Sequence, residues 1–224
     1  MENANRILHQ LVSIVFNPLL IVFYLLFLMT VINPFDFVGF EGTQKHMLFF
    51  QVLISTLILP GIAIIMLYSL GLISSVELGD SKERMFPFIA TAIFYLWLFA
   101  NLVYNPTIPK MLIVVVFGAI LGLFIAMVVN LFIKLSIHCL GVGSLFSSVV
   151  IIAYEWSLLF DRNVAFNENT MALLIVLCIL VAGLVGSARL QLKVHTLKEV
   201  YTGYFVGIIS PVLSYTTIDL IFYG

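Results

Sequence analysis

Long, nearly uncharged apolar runs dominate this chain and limit what it can fold into. A helix crosses the hydrocarbon core of a bilayer with about 20 apolar residues, and seven runs reach or approach that length. They are Leu19–Ile32 (extended backward through Leu11), Met47–Leu72, Phe88–Tyr104, Met111–Ile133, Leu145–Phe160, Met171–Gly186 and Val200–Phe222. Because 62% of the 224 residues are hydrophobic and only 9% are charged, a soluble domain could not bury this surface. The sequence therefore predicts an integral membrane protein.

The apolar runs are continuous rather than alternating, which predicts helices and not the strands of a β-barrel. We expect an all-α, polytopic transmembrane bundle of six to seven spans. The third, fifth and sixth runs are short, so six spans with a half-buried hairpin is the alternative. The length suits one membrane-embedded domain over residues 1–224. Residues 1–16 are weakly amphipathic and are predicted to lie in the interface before the turn at Asn17-Pro18.

The remaining composition excludes some functions. The net charge of −1 offers no basic stripe, so we expect no nucleic-acid partner. Cys139 and Cys178 lie in or beside apolar runs without zinc-like spacing, so both are interpreted as small hydrophobic side chains.

Three connections between the runs are rich in ionisable groups: Glu77–Pro87, Lys134–His138 and Arg189–Glu199. Two spans separate the first connection from the second, and two more separate the second from the third. An even number of crossings returns the chain to the same face of the membrane. This parity predicts that the three polar clusters lie on one face, where they can meet.

The third cluster contains His195 and Glu199, four residues apart. On a helix this spacing places both on one face, where the carboxylate can accept a hydrogen bond from one imidazole nitrogen. The other nitrogen is then oriented as a nucleophile or base. Arg189 offers a planar fork of donors suited to phosphate. The alternative is a solvated turn beside the membrane whose cations reach into water.

The second cluster contains Ser136 and His138, followed by Gly141 and Gly143. Glycines before a helix start allow backbone N–H groups to approach an anion closely. Ser136 could donate a hydrogen bond, and His138 could act as a general acid. The alternative is an interfacial histidine beside a glycine-rich helix start.

The first cluster contributes Arg84 and Lys82, which are useful only if they face the other clusters. A solvated loop of mixed charge is the alternative. Taken together, the three clusters supply an oriented nucleophile, a second histidine as acid, and two or three cations. This combination is typical of phosphoryl transfer through a covalent intermediate, in which cations stabilise charge on the equatorial oxygens.

The third cluster resembles a motif of the phosphatidic acid phosphatase (type 2) / vanadium haloperoxidase superfamily, in its membrane-bound bacterial lipid-phosphatase branch. The family motif is Ser-Arg, five residues, His, three residues, Asp. Here Arg189, His195 and Glu199 keep the spacing, with Glu in place of Asp and the serine at Ser187. The small-residue segment from Tyr201 to Gly207 resembles the helix that follows this motif in the family.

The other two family motifs are matched in part. The Pro-Ser-Gly-His motif reads Leu-Ser-Ile-His here and keeps Ser136 and His138. In the Lys, six residues, Arg-Pro motif, Arg84 matches, but Glu77 stands at the Lys position and Met85 at the Pro position. Lys82 is the candidate substitute for the missing cation.

The resemblance implies a role for each residue. His195 would attack phosphorus and form a phosphohistidine, Glu199 would orient it, and His138 would protonate the leaving group. The groups implied to hold the phosphate are Arg84, Arg189, Ser136 and Lys82. The implied substrate is a lipid phosphate or diphosphate, such as phosphatidic acid, phosphatidylglycerol phosphate or a polyprenyl diphosphate, and no metal or other cofactor is needed.

The resemblance also implies a bacterial cytoplasmic (inner) membrane, surrounding lipids as partners and an outward-facing site. The distribution of lysine and arginine, by the positive-inside rule, instead places the clusters in the cytoplasm. Because the first motif is degenerate, the alternative function is an inactive family member that serves as a lipid-binding or transport protein.

Two other classes of function stay open. Ionisable groups deep within the spans would favour a transporter. The candidates are few, since Glu155 is interpreted as part of an interfacial aromatic belt and Asp219 lies near the C-terminal end. A prenyl-transfer enzyme would use Asp80, Glu83 and Arg84 as a diphosphate loop. That chemistry normally needs paired metal-binding acidic clusters, and the sequence has no second acidic cluster on the same face.

Overall fold

The computed structural model is an all-α bundle, described for residues 2–40, 42–76, 78–159 and 168–222. Its α-helices, in chain order, are α1 (Glu2–Val15), α2 (Ile21–Ile32), α3 (Gly42–Leu53), α4 (Leu59–Ser69), α5 (Met85–Val103), α6 (Lys110–Asn130), α7 (Ile137–Leu159), α8 (Glu168–Gln191) and α9 (Leu197–Phe222). Glu77 and Phe160, which belong to predicted segments, lie outside the described residues.

Seven stretches of the described chain are long and apolar enough to cross a membrane. The first combines α1 and α2 over Arg6–Ile32, and the second combines α3 and α4 over Gly42–Ser69. The helices α5 to α9 supply the other five. The prediction of an all-α polytopic membrane bundle is confirmed, and α5 and α6 are each long enough to span. The interfacial placement of residues 1–16 and the single-domain organisation stay predictions.

The start of α7 differs from the predicted start of the fifth run. The helix begins at Ile137 because the Ser136 Oγ accepts a hydrogen bond from the Cys139 N–H at 3.4 Å. Gly141 and Gly143 therefore lie inside α7 and do not precede it. A Cβ at Gly143 would lie 3.0 Å from the Tyr204 carbonyl oxygen, so this glycine serves helix packing. The expected glycine cradle for an anion is wrong.

Close approach of α7 and α9 brings two of the polar clusters together. Gly203 and Gly207 are four residues apart, a spacing that lets membrane helices approach closely. An added methyl group would overlap the Ser136 carbonyl oxygen at Gly203 and the Leu140 carbonyl oxygen at Gly207. The small residues of α9 thereby place the start of α7 directly against the start of α9.

A π-helical segment, Ile54–Ile58, joins α3 to α4 within the second span. Pro60 explains the irregularity, because it lacks the N–H that would bond to the Thr56 carbonyl in an α-helix. The Tyr95 hydroxyl of α5 lies 3.5 Å from that Thr56 carbonyl oxygen and donates to it. This contact ties α5 to the second span.

Candidate functional site

A cavity of about 1680 Å³ opens where the three polar clusters meet at one end of the bundle. The Arg84 Nη1 donates to the Leu135 carbonyl at 2.8 Å, which joins the first cluster to the second. The Ser136 N–H donates to the Glu199 carbonyl at 3.0 Å, which joins the second cluster to the third. The three clusters thus meet at one end of the bundle, joined by hydrogen bonds to backbone carbonyls.

The cavity lining is strongly cationic. The chain has ten lysine and arginine residues; among those that the structure describes, five line the cavity, together with three histidines. These residues are Arg6, Arg84, Lys134, Arg189, Lys193, His9, His138 and His195. No aspartate or glutamate of the described chain lines the cavity. A concave site with one sign of charge and apolar walls attracts ligands of the opposite charge, which favours an anion here.

Arg84 is a buried cation held by carbonyl oxygens. Leu78 adopts a left-handed backbone with φ of 54°, and its carbonyl accepts from the Arg84 Nε at 2.9 Å. Burial lowers the pKa of Arg84 to about 10, and Glu199 opposes the shift while Arg189 adds to it. Arg84 therefore stays charged at neutral pH. Nε bonds to the Leu78 carbonyl and Nη1 to the Leu135 carbonyl. The Nη2 group can therefore donate to a ligand.

His195 lies in the turn between α8 and α9, two residues before α9 begins. Its Nδ1 lies 2.8 Å from the Glu199 Oε2. The same carboxylate accepts from the Thr196 N–H at 3.1 Å, and the Thr196 Oγ1 accepts from the Glu199 N–H at 3.4 Å. This is a capping box. The helical-face geometry expected for this pair is wrong, because Glu199 reaches back across the helix start.

The protonation of His195 follows from these contacts. A carboxylate accepts, so the Nδ1 carries the hydrogen and the Nε2 lone pair is available in the neutral ring. Burial lowers the pKa of His195 to about 4, against the raising effect of Glu199 and with Arg189 and Arg84 lowering it further. At neutral pH, His195 is therefore a neutral imidazole with one oriented lone pair.

His138 and Arg189 both bond to Ser13 of α1. The His138 Nε2 lies 3.1 Å from the Ser13 carbonyl oxygen. Because a carbonyl only accepts, this Nε2 carries the hydrogen and the Nδ1 is the other reactive position. The Arg189 Nη1 donates to the Ser13 Oγ at 3.2 Å. Ser13 thus contacts both His138, the predicted proton donor to the leaving group, and Arg189, a predicted phosphate ligand.

The contribution of α1 was missed, although its sequence contains the signal. Arg6, His9, Gln10 and Ser13 all line the cavity, and they recur at i, i+3, i+4 and i+7, the spacing of one helix face. This polar stripe lies within an amphipathic segment and not in a connection between apolar runs, where the three predicted clusters lie.

Two predicted phosphate ligands lie away from the cavity lining. The side chain of Lys82 is exposed, and its backbone N–H donates to the Asp80 Oδ1 at 2.9 Å. Ser136 is fully buried and its Oγ caps α7. Neither residue is among those that line the cavity. In this arrangement, Arg84 and Arg189 are the predicted ligands that reach it.

The cavity also extends away from its polar end. Its lining includes Val115 and Gly118 of α6, Leu25 of α2 and Tyr95 of α5. All four belong to spans, so the cavity enters the depth of the bundle. Within the described residues, no group of three or more His, Cys, Asp or Glu side chains is arranged to hold a metal ion.

No family model matches this chain, and no curated protein or solved structure matches it either. The resemblance to the phosphatidic acid phosphatase superfamily therefore stays a prediction from the motif residues. What the protein does has to be inferred from the chemistry of its cavity.

Proposed function

We propose that this membrane protein is a lipid phosphatase that hydrolyses a lipid phosphate or diphosphate through a phosphohistidine on His195. The observation that carries the proposal is one cavity that combines cationic walls, a neutral histidine oriented by Glu199, and an apolar extension into the bundle. A lipid phosphate has the matching parts, an anionic head and a hydrocarbon tail.

In the first step, the His195 Nε2 lone pair attacks phosphorus and the bond from phosphorus to the leaving oxygen breaks. The leaving oxygen takes a proton from His138, which in its protonated form would donate from Nδ1 while Nε2 stays bonded to Ser13. Positive charge develops on the His195 ring, and the adjacent Glu199 carboxylate stabilises it.

In the second step, a water oxygen attacks the phosphorus of the phosphohistidine. His138 takes a proton from this water, and the phosphorus–nitrogen bond breaks with its electron pair returning to the His195 Nε2. Inorganic phosphate leaves and the starting protonation is restored. Arg84 and Arg189 stabilise the charge on the equatorial oxygens in both steps.

Phosphate release from purified protein tests this proposal. The panel contains lipid monophosphates and diphosphates with chelator present, and the variants are His195→Ala and Glu199→Gln. Lys198→Ala is the matched control, since Lys198 is exposed and lies outside the cavity lining. We expect release that requires His195 and Glu199 and is unchanged in the control. Equal release in all four proteins would overturn the assignment.

A second candidate is a phosphate-lipid binding or transport protein without hydrolysis. The observation that favours it is that Lys82 and Ser136 do not line the cavity, so the expected set of phosphate ligands is reduced. Binding of lipid phosphates without release of phosphate, in wild-type protein of proven integrity, would establish this candidate in place of the phosphatase.

We propose further that the protein lies in a bacterial cytoplasmic membrane with the cavity facing outward. Lys82→Cys provides the test, because Lys82 is exposed in a loop at the cavity end and both native cysteines are buried. An impermeant maleimide should label this variant in intact cells. Labelling only after the membrane is opened would place the cavity in the cytoplasm.

A further inference from the structure

The apolar part of the cavity forms a shaft along one face of α6. Its lining residues on that helix are Ala126, Leu123, Ala119, Gly118 and Val115. Val115 and Ala126 lie 11 positions apart, which corresponds to about 16 Å of helix at 1.5 Å per residue. This is roughly half of the 30 Å hydrocarbon core of a bilayer, so the shaft reaches far beyond the space that a phosphate group occupies.

The walls of the shaft suit a hydrocarbon chain. Val22 and Leu25 of α2, Phe88 of α5 and Leu140 of α7 line it together with the face of α6. Thr91 of α5 adds a hydroxyl group to this lining. Burial of a hydrocarbon chain against walls that are mostly apolar is nevertheless favourable.

Tyr95 closes the inner end on the α5 side. It is the innermost lining residue of α5 and is 4% exposed. Its hydroxyl donates to the Thr56 carbonyl in the π-helical segment at 3.5 Å. Because the buried ring occupies this end of the shaft, its bulk blocks a longer chain there.

We propose that this shaft holds one hydrocarbon chain of the substrate and that Tyr95 sets the longest chain that is accepted. The inference rests on the proposed function, because the phosphate at the cationic end fixes where the chain begins. Tyr95 is therefore a specificity residue that does not touch the reacting atoms.

The test measures kcat/KM for a series of alkyl phosphates of increasing chain length. Tyr95→Ala removes the ring, so the optimum should move to longer chains. The gain should be about fourfold for each additional methylene buried, which corresponds to ~0.8 kcal/mol per CH₂. Tyr95→Phe keeps the ring and should keep the wild-type optimum. Tyr104→Ala is the matched control, since Tyr104 is 85% exposed and lies outside the lining.

A variant with the opposite effect keeps the proposal testable if Tyr95→Ala does not fold. Ala119→Leu adds volume within the shaft and should move the optimum to shorter chains. If both variants fold, hydrolyse and retain the wild-type chain-length profile, the shaft proposal is overturned and the phosphatase proposal stands.

Binding separates the two proposals when hydrolysis is absent. Native mass spectrometry can compare the His195→Ala variant with the His195→Ala/Tyr95→Ala double variant, each mixed with alkyl phosphonates of different lengths. It reports which chain length binds best without requiring hydrolysis. A preference that moves with Tyr95→Ala supports the shaft even if the wild-type protein releases no phosphate, in which case only the phosphatase proposal fails. No dependence of binding on chain length overturns the shaft.

Discussion

The two ends of this bundle use ionisable groups in different ways. At the end opposite the large cavity, Lys110 and Asp219 pair at 2.5 Å, and the Tyr215 hydroxyl donates to the Glu155 carboxylate. The cavity there has a volume of only about 250 Å³. At the other end, the described lining of a cavity of about 1680 Å³ carries five lysine and arginine side chains and no acidic one.

The difference separates charges that pair with each other between helices from charges of one sign that line a cavity. The Lys110–Asp219 pair links α6 to α9, and the Glu155–Tyr215 bond links α7 to α9, so each acidic group has a partner within the protein. In the proposed function, the cationic lining of the large cavity binds an anionic substrate. Glu155, interpreted from the sequence as part of an interfacial aromatic belt, also accepts the Tyr215 hydrogen bond across the bundle.

The largest effect is expected from His195→Ala, which removes the only nucleophile proposed at the cavity end. Phosphate release from a lipid phosphate should fall by at least ~1,000-fold, in the range seen when a covalent nucleophile is lost. Steady-state kinetics with protein of matched thermal stability provides the measurement. Residual activity above about a tenth of wild type would contradict the role of His195.

Arg84→Ala should have the next largest effect, because the guanidinium both joins the loops and faces the proposed phosphate. Loss of one donor to a developing anion costs about 100- to 1,000-fold in kcat. Arg84→Lys should recover little, since an ammonium group cannot bond two carbonyls and a phosphate in the same plane. Lys82→Ala is the control from the same loop, and equal losses in Arg84→Ala and Lys82→Ala would contradict the assignment.

The pH dependence sharpens the contrast through His195. Burial lowers the pKa of His195 from its ordinary value of 6.5 to about 4, so the reactive neutral form persists well below neutral pH. Nitrogen NMR of labelled histidine in detergent, assigned with His195→Ala, should show a midpoint near pH 4. A midpoint near 6.5 would mean that the His195 ring is solvated, which contradicts its burial beside Arg84 and Arg189.

The same shift has a consequence for stability. Because the pKa of His195 is lower in the folded state, the unfolded chain binds the proton first as pH falls. The neutral His195 ring therefore contributes to the free energy of unfolding fully above about pH 6.5, and this contribution is lost as pH falls through about 4.

The smallest effect is expected at the opposite end. Asp219→Asn breaks a pair whose side chains are 25% and 50% exposed, so the free energy of unfolding should fall by ~1 kcal/mol or less. Phosphate release should change by less than about twofold, since the loss is structural and remote from the cavity. Thermal unfolding and kinetics on one preparation provide both readouts. A large loss of phosphate release with unchanged stability would show that this pair acts in catalysis, which contradicts the purely structural role given to it here.

Much of this arrangement could be predicted from the sequence because it depends on local composition. Apolar length defines the spans, and counting crossings places the polar clusters on one face. The pairing of His195 with Glu199 was expected from their spacing, but the capping box that creates it depends on Thr196, whose role was not considered.

Side-chain direction could not be predicted from the sequence. Lys82 and Arg84 are two residues apart, yet Lys82 is exposed and Arg84 is buried. Arg84 bonds to one carbonyl in its own cluster and to one in the next. Similarly, Gly141 and Gly143 suggest a loop in the sequence, and only the packing of α7 against α9 explains why they lie inside a helix. Long-range contacts of this kind leave no periodic signal in the chain.

The central claim is that His195 carries the phosphoryl group, and rapid acid-free quenching of a turnover mixture tests it directly. Mass spectrometry of the digested wild-type protein should find a base-stable, acid-labile phosphoryl group on His195 and on no other histidine. The Glu199→Gln variant should accumulate it more slowly. Rapid phosphate release without any phosphohistidine at His195 would contradict the account.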